Sequence, residues 1–393
     1  MYNFRRKSPI LHKRIKPVLL ALSANIARNL KKTTKTMKQL LQWTIIIPLL
    51  SWALFFSGLV DNSSIFQIAA SILLILSVMS AVHHSEIIAE RVGEPYGTII
   101  LAISITVIEV SIIISLMLSE GSEAASLARD TVYAATMLIL NGIIGLCLLI
   151  GSIKHYEQNF STSSVTIGLV SLISIIVFTL VFPTFTESVH GSYYSTPQLI
   201  FASIACLVIY GSFLFAQTKG YRQYFLTNGG DDESKTHPIE INNKTFYTSM
   251  VFLLVSLGIV VLLAKTLSPT IETIIIGYSL PKSLVGVIIA IIILLPEAIA
   301  AIIAARKNRL QTSLNLALGS ALASIGLTIP SVAAVCIAMN MPIVLGLDIK
   351  SIVLLALSVF TVMLSLSKGK SNIVYGVVLL VNLFAFMFLM IYP

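Results

Sequence analysis

The sequence predicts an all-α polytopic membrane protein of about eleven transmembrane helices, and three observations carry that expectation. Of its 393 residues, 56% fall in the set AVILMFWYC, whereas soluble proteins average roughly 45–50% even with Gly counted as apolar. Only 11% are Asp, Glu, Lys or Arg, against roughly 25% in soluble proteins, too few to cover a water-facing surface of this size. Apolar runs of about 20 residues recur from Leu41 onward, each long enough to cross a hydrocarbon core of about 30 Å as a helix. The mean hydropathy of +0.93 agrees. A soluble enzyme, a disordered chain, a coiled coil and a disulfide-framed module all fit these numbers poorly.

Residues 1–40 read as a basic cytoplasmic arm. Residues 1–38 hold 11 of the 26 Lys and Arg and no acid. The net charge of +9 thus has a local source, and membrane lipid headgroups, not nucleic acid, are the expected partner. The first apolar run lacks a small-residue cleavage site, so it reads as the first span and not as a secretory signal. Within the arm, Val18 to Leu30 alternates apolar and basic residues at helical spacing, which suits an interfacial helix or plain disorder.

The spans are expected at 41–60, 64–82, 98–118, 132–152, 163–183, 197–217, 247–268, 284–305, 313–335, 344–366 and 372–392. Helices are the only sensible reading of such runs, because every backbone polar group in lipid needs a partner within its own segment. With the basic arm inside, the connections place 22 Lys and Arg on the cytoplasmic side and 4 outside (Arg129, Lys265, Lys282 and Lys350). That bias supports both the odd count and a C-terminus outside. The three cysteines, Cys147, Cys206 and Cys336, each sit in an apolar run without a CxxC pair, which suggests neither a disulfide framework nor a zinc site.

The longest connection, 218–246, carries Asp231, Asp232 and Glu233 and divides the hydrophobic part nearly in half. The chain is therefore expected to comprise the arm, a first helix plus a five-helix repeat over 41–217, the 218–246 cytoplasmic linker, and a second five-helix repeat over 247–393. An odd number of spans per half forces the halves into opposite orientations, the inverted-repeat plan of many transporters.

Two carboxylates stand out within apolar runs, where an ionisable side chain costs at least about 2.5–3.5 kcal/mol. Glu109 lies in the third span and Glu297 in the eighth, equivalent places in the two halves. Opposed orientation lets both reach the midplane and meet. A single buried Glu can serve structure alone; two at repeat-related positions favour function. Pro296 removes an N–H and frees the carbonyl of Ile292, while Gly319, Ser320, Ala323, Ser324 and Gly326 permit close helix approach and offer hydroxyls. Such an all-oxygen shell suits Ca²⁺ or another hard cation. Thr106 and Asn141 are further candidate cation- or proton-binding residues.

Other polar residues have weaker claims. His83, His84, Ser85, Glu86, Glu90 and Arg91 resemble a metal motif but lack the His-Glu-x-x-His spacing, and they read as a solvated cytoplasmic connection, with Glu86 a candidate for the cation's mouth. Glu94 is 15 residues before Glu109, about 22 Å along a helix, so at best it lines that mouth. Asp231, Asp232 and Glu233 read as a solubilising loop, and Lys265 with Glu272 as the outer rim of the seventh span.

Gly93-Glu94-Pro95-Tyr96-Gly97-Thr98 running into Thr106-Val107-Ile108-Glu109-Val110, with Leu295-Pro296-Glu297-Ala298 and Gly319-Ser320, resembles the ChaA-type cation/proton antiporters of the calcium/cation antiporter superfamily. The resemblance covers nearly all of the chain after the basic arm. It implies an eleven-span fold with two inverted five-helix repeats and exchange of Ca²⁺, Na⁺ or K⁺ for protons at Glu109 and Glu297, in a bacterial inner membrane. The wider family's Gly-Asn-Ala-x-Glu pattern is altered here: Thr106 and Leu294 stand three residues before the acids, and no His follows Glu297. Leu294 has no side-chain ligand, which leaves room for monovalent ions.

The expected function is secondary cation/proton antiport without an enzymatic reaction or a cofactor. The alternative, a Na⁺/Ca²⁺ exchanger without proton coupling, would need more ion-binding oxygens beside the two acids. An intramembrane protease would need His-Glu-x-x-His or paired aspartates within spans, and a pump would need a nucleotide-binding domain. Other polar residues are scarce around Glu109 and Glu297, and the protease motifs and the nucleotide-binding domain do not appear.

Overall fold

A computed structural model describes residues 43–61, 63–93, 96–189, 191–225, 241–278, 280–281 and 283–392. The basic arm, Glu94, and Asp231, Asp232 and Glu233 lie outside the described residues.

Among the described residues, eleven long helices follow one another: α1 Trp43–Phe56, α2 Ser64–Val92, α3 Tyr96–Glu120, α4 Leu127–His155, α5 Thr162–Phe185, α6 Thr196–Gly220, α7 Asn243–Gly277, α8 Ser283–Arg306, α9 Leu310–Met339, α10 Ile349–Leu366 and α11 Ile373–Ile391. Among the described residues, nine are long and apolar enough to cross a membrane, and shorter apolar stretches occupy Trp43–Phe56 and Ile103–Leu118. The eleven expected spans are thus all present as helices.

Their connections gather at two ends, as alternating crossings require. At one end, Lys154 Nζ donates to the Arg306 carbonyl at 2.8 Å, Gln158 Nε2 to the Ala305 carbonyl at 3.0 Å, and Arg91 Nη1 to the Ile241 carbonyl at 2.8 Å. At the other, Val344 N donates to the Ala125 carbonyl at 2.9 Å and Arg129 Nη1 to the Gly346 carbonyl at 3.1 Å. Residues 341–348 are not helical, contrary to the expected span at 344–366. The N–H groups of Val344–Leu347 donate instead to the carbonyls of Ala125, Ser192 and Leu180, and the Asp348 side chain then caps the start of α10 by accepting from Ser351 N.

The second departure is α2. The His83–Arg91 stretch is not a connection: it continues α2, which is 29 residues long, with Glu86, Glu90 and Arg91 exposed and His84 turned to the buried side. His84 is fully buried, its Nδ1 3.2 Å from Ser249 Oγ and its Nε2 3.4 Å from the Thr44 carbonyl. It closes a polar seam joining α1, α2 and α7. Ser51 pairs with Ser77 at 2.9 Å, and Ser80 reaches the Thr44 carbonyl at 2.6 Å and Ser256 at 3.3 Å. Thr44–Ser51, Ser77–His84 and Ser249–Ser256 are each seven residues apart, two helical turns, so on each helix the polar groups recur on one face. In hydrocarbon such small, mutually satisfied groups hold helices together where apolar burial cannot. Arg91 adds a clamp at the helix end, with its guanidinium 4.8 Å from the centre of the Phe246 ring.

Candidate cation site

Glu109 and Glu297 are carried inward by α3 and α8 and line one cavity of about 120 Å³. Two local features set α8 in place. Gly286 lies so close to α4 that a Cβ there would meet Thr131 N at 3.0 Å and the Asp130 carbonyl carbon at 3.1 Å. At the far end, Ser313 of α9 donates to the Ala301 carbonyl of α8 at 2.8 Å, tying the α8–α9 hairpin. Pro296 stands inside α8 immediately before Glu297.

The two carboxylates have different surroundings. Glu109 is 2% exposed, and both of its oxygens lie 2.8 Å from Ser324 Oγ of α9. A hydroxyl can donate to a carboxylate or accept from a carboxylic acid, so Ser324 remains a partner to Glu109 in either protonation state. Neither oxygen of Glu297 has a hydrogen-bond partner in the protein, although both are buried. Thr106 Oγ1, one turn before Glu109, and Thr328 Oγ1, one turn beyond Ser324, are likewise buried and unpartnered. A buried polar group left unsatisfied costs about 1–3 kcal/mol, more when charged. This arrangement therefore favours a guest that accepts oxygen lone pairs, a proton or a hard cation.

Of the expected site residues, Glu109, Glu297, Thr106, Ser320 and Ser324 all line the cavity. Asn141 does not. Its amide donates to Ser358 Oγ at 2.8 Å, turning toward α10 from a π-helical turn at Leu138–Ile143. Glu86 sits on α2 within electrostatic reach of Glu297 but does not line the cavity. No sequence signal marks the α6 wall, Tyr210, Phe213, Leu214 and Gln217, because these residues sit in an ordinary apolar run. Thr328 could have been found from its spacing of four from Ser324, which puts both hydroxyls on one face of α9.

The cavity extends from the glutamates toward Gln217 and Asn315, the bundle end that carries Lys154, Arg306 and the end of α6. Asn315 Nδ2 donates to the Phe225 carbonyl at 2.8 Å and Asn315 Oδ1 accepts from Gln311 Nε2 at 2.8 Å, so the single helical turn Arg222–Phe225 is tied beside this mouth.

Comparison with known proteins bears on this geometry. The sequence model of the sodium/calcium exchanger protein family matches residues 63–219 and 248–392, leaving out the linker. A putative ionic transporter of Sinorhizobium fredii is 39% identical over 357 residues, 89% of this chain and 96% of the relative. The sodium-potassium/proton antiporter ChaA of Escherichia coli is 29% identical over 355 residues, 88% of this chain and 95% of the relative. A crystal structure of the Ca²⁺/H⁺ antiporter protein YfkE superposes with a TM-score of 0.65 at 20% identity, covering 90% of this chain and all of that one.

Proposed function

The chain belongs to the sodium/calcium exchanger protein family, and on that premise we propose that it is a secondary antiporter exchanging Ca²⁺, or Na⁺ or K⁺, for protons at Glu109 and Glu297. The observation that carries this reading is the cavity shared by two buried carboxylates, one of which has no partner inside the protein. The relatives support proton coupling by the names they bear, a sodium-potassium/proton antiporter in one case and a Ca²⁺/H⁺ antiporter in the other.

The mechanism follows from charge. Two ionised carboxylates out of water cost several kcal/mol each unless neutralised. Two protons neutralise the pair, as does one Ca²⁺; one Na⁺ or K⁺ does so with one proton retained. The empty, doubly charged site is the one species too costly to carry across, so the protein changes its facing only when loaded. Cation movement in one direction is then tied to proton movement in the other. Thr106, Ser320 and Ser324 add neutral oxygens to the cation's shell, and Glu86 gathers cations on the way to Glu297.

With the Lys- and Arg-rich ends of the helices inside, the N-terminus is cytoplasmic, the C-terminus is outside, and the Gln217–Asn315 mouth opens to the cytoplasm of a bacterial inner membrane. Residues 41–217 and 247–393 act as the first helix plus one repeat and as the second repeat. Alternating access comes from α1, α2 and α7, joined along their polar seam, sliding over the helices that carry the glutamates.

The test is cation-induced proton movement in proteoliposomes, with Ca²⁺, Na⁺ and K⁺ compared. Glu109→Gln and Glu297→Gln each abolish it while inserting normally. A Gln variant with wild-type exchange refutes the assignment.

A further inference from the structure

We propose that the α4–α5, α8–α9 and α10–α11 connections together form a headgroup site for an anionic phospholipid, with the phosphodiester held by Lys154, Arg306 and Lys307 and the acyl chains lying on the apolar residues directly beneath. The inference stands apart from the antiporter reading, since it concerns the outside of the bundle and not the cavity.

These three short connections are one hydrogen-bonded patch. Besides the Lys154 and Gln158 contacts to the end of α8, His155 Nε2 lies 3.0 Å from the Arg306 carbonyl. Phe160 N donates to the Gly369 carbonyl and Ser371 N to the Gln158 carbonyl, both at 2.9 Å. The patch carries Lys154, Arg306, Lys307, Arg309, Lys368 and Lys370, all exposed. Its single acid, Glu157, is taken by Lys370 at 2.8 Å. Six cations against one acid leave a net charge of +5 with His155 neutral. Among the described residues no carboxylate pairs with Lys154, Arg306 or Lys307, and Lys154 spends its ammonium on a backbone carbonyl. Like charges gathered this closely repel one another, and an anion from outside the protein relieves that repulsion.

Topology alone does not account for this excess. Lys and Arg favour the connections on one side of a membrane, yet the others at this end mix their charges: Glu86 and Glu90 accompany Arg91, and the 218–246 linker holds four Asp and Glu with four Lys and Arg. What lies beneath the patch selects the ligand. Ile153 immediately precedes Lys154, Ile303 stands three residues before Arg306 and Ile373 three residues after Lys370, and all three are exposed. Three residues rise about 4.5 Å along a helix, so the cations sit at headgroup depth, just above side chains that face the acyl chains. An anion carrying its own hydrocarbon uses both surfaces, and a soluble phosphate only the first. The guanidinium fork of Arg306 matches the two free oxygens of a phosphodiester.

The probe is phosphatidylglycerol, with phosphatidylcholine of the same acyl chains as the zwitterionic control, each titrated into the delipidated full-length protein and read by native mass spectrometry. Phosphatidylglycerol is expected to bind at least tenfold more tightly. Each Lys or Arg near an anionic lipid surface contributes roughly fivefold in affinity, so Arg306→Gln with Lys307→Gln should lower it at least tenfold and leave phosphatidylcholine unchanged. Lys219→Gln with Arg222→Gln removes the same charge from the balanced linker and should stay within about twofold of wild type on the same scale. If the Arg306 and Lys307 double variant does not fold, Lys307→Gln alone should cost roughly fivefold. Residues 1–40 are present in every variant, so whatever their basic side chains contribute cancels in the comparison.

Equal affinity for the two lipids overturns the proposal, as does an equal loss in the two double variants, which would mark a diffuse field in place of a site. Displacement of the lipid by excess inorganic phosphate or glycerol phosphate would assign the patch to a soluble anion. A dimer that dissociates on Arg306→Gln with Lys307→Gln would assign it to a second copy of the chain.

Discussion

Replacing Ser324 with Ala removes one hydroxyl and little volume, which isolates its contribution to Glu109. In the structure that hydroxyl lies 2.8 Å from both carboxylate oxygens, with the Thr328 hydroxyl, one turn along α9, close enough to act on the same carboxylate. A hydrogen bond to a charged group contributes about 1.5–3 kcal/mol, and each 1.4 kcal/mol is about tenfold in affinity. Because a neutral bond to the protonated acid contributes about 0.5–1.5 kcal/mol, only the difference of roughly 1–1.5 kcal/mol bears on the choice between proton and cation, and the apparent KM for Ca²⁺, which requires Glu109 ionised, should rise up to about tenfold. The assay is the initial rate of cation-induced proton movement in proteoliposomes against cation concentration at fixed pH. Ser324→Thr, which keeps the hydroxyl, is expected to stay within a few fold of wild type. A KM for Ser324→Ala equal to wild type, with equal insertion, would show that Glu109 does its work without this contact.

Three further outcomes follow from the structure. Gly286→Val should destabilise the protein by about 1–3 kcal/mol through overpacking, since its Cβ would meet the Asp130–Thr131 backbone; Gly277→Ala, where a Cβ meets nothing within 4 Å, is the control, and thermal unfolding in detergent reads both. Partial burial pushes the Asp348 carboxyl up, but hydrogen bonds from the Ser351 hydroxyl and N–H, with Lys350 nearby, outweigh it and hold the carboxyl below its ordinary value of 3.8. This capping contribution is complete above that pH and is lost as pH falls through the lower folded value. Asp348→Ala should thus cost about 1 kcal/mol near neutrality, with the deficit vanishing in strong acid; an equal deficit at both extremes would refute it. Because only neutralised sites change facing, exchange should be electroneutral, and a valinomycin-clamped potential that alters the balance point of the cation gradient against the proton gradient would contradict this.

Much of this architecture was legible because membrane burial writes itself into composition: a run of about 20 apolar residues has few alternatives to a helix. Glu109 and Glu297 were legible for the same reason, as costly exceptions within such runs. What the sequence concealed were polar groups whose partners lie far along the chain. His84 looked solvated because Glu86, Glu90 and Arg91 follow it, yet its partners are Ser249, 165 residues away, and the carbonyl of Thr44. Asn141 looked like a ligand because it sits in a deep span, yet a π-helical turn and Ser358 turn it elsewhere. Residues 341–348 are apolar enough to extend a span, but Asp348 caps the helix at Ile349 and the N–H groups of Val344–Leu347 find backbone partners far along the chain at the same end of the bundle.

The unequal surroundings of the two glutamates bear on how one site can serve ions of different charge. Ser324 of α9 stands beside Glu109, whereas α4, which follows Glu109 in the first half, sends Asn141 to Ser358 and offers Glu297 no matching hydroxyl. Glu109 thus has a partner whether or not it carries a proton. Glu297 has no partner within the protein, so under the proposed antiport it would be the carboxylate at which a proton and a cation displace each other most directly. With Na⁺ or K⁺, the proton that must stay behind for neutrality is best kept on Glu109, where Ser324 can accept it. With Ca²⁺ both carboxylates give up their protons, and the neutral oxygens of Thr106, Ser320 and Ser324 complete a shell that the two acids alone leave short of the six to eight ligands this ion usually takes. Under the proposed antiport, these unequal surroundings would give the pair two distinct ways to reach neutrality, which two identically solvated glutamates would not supply.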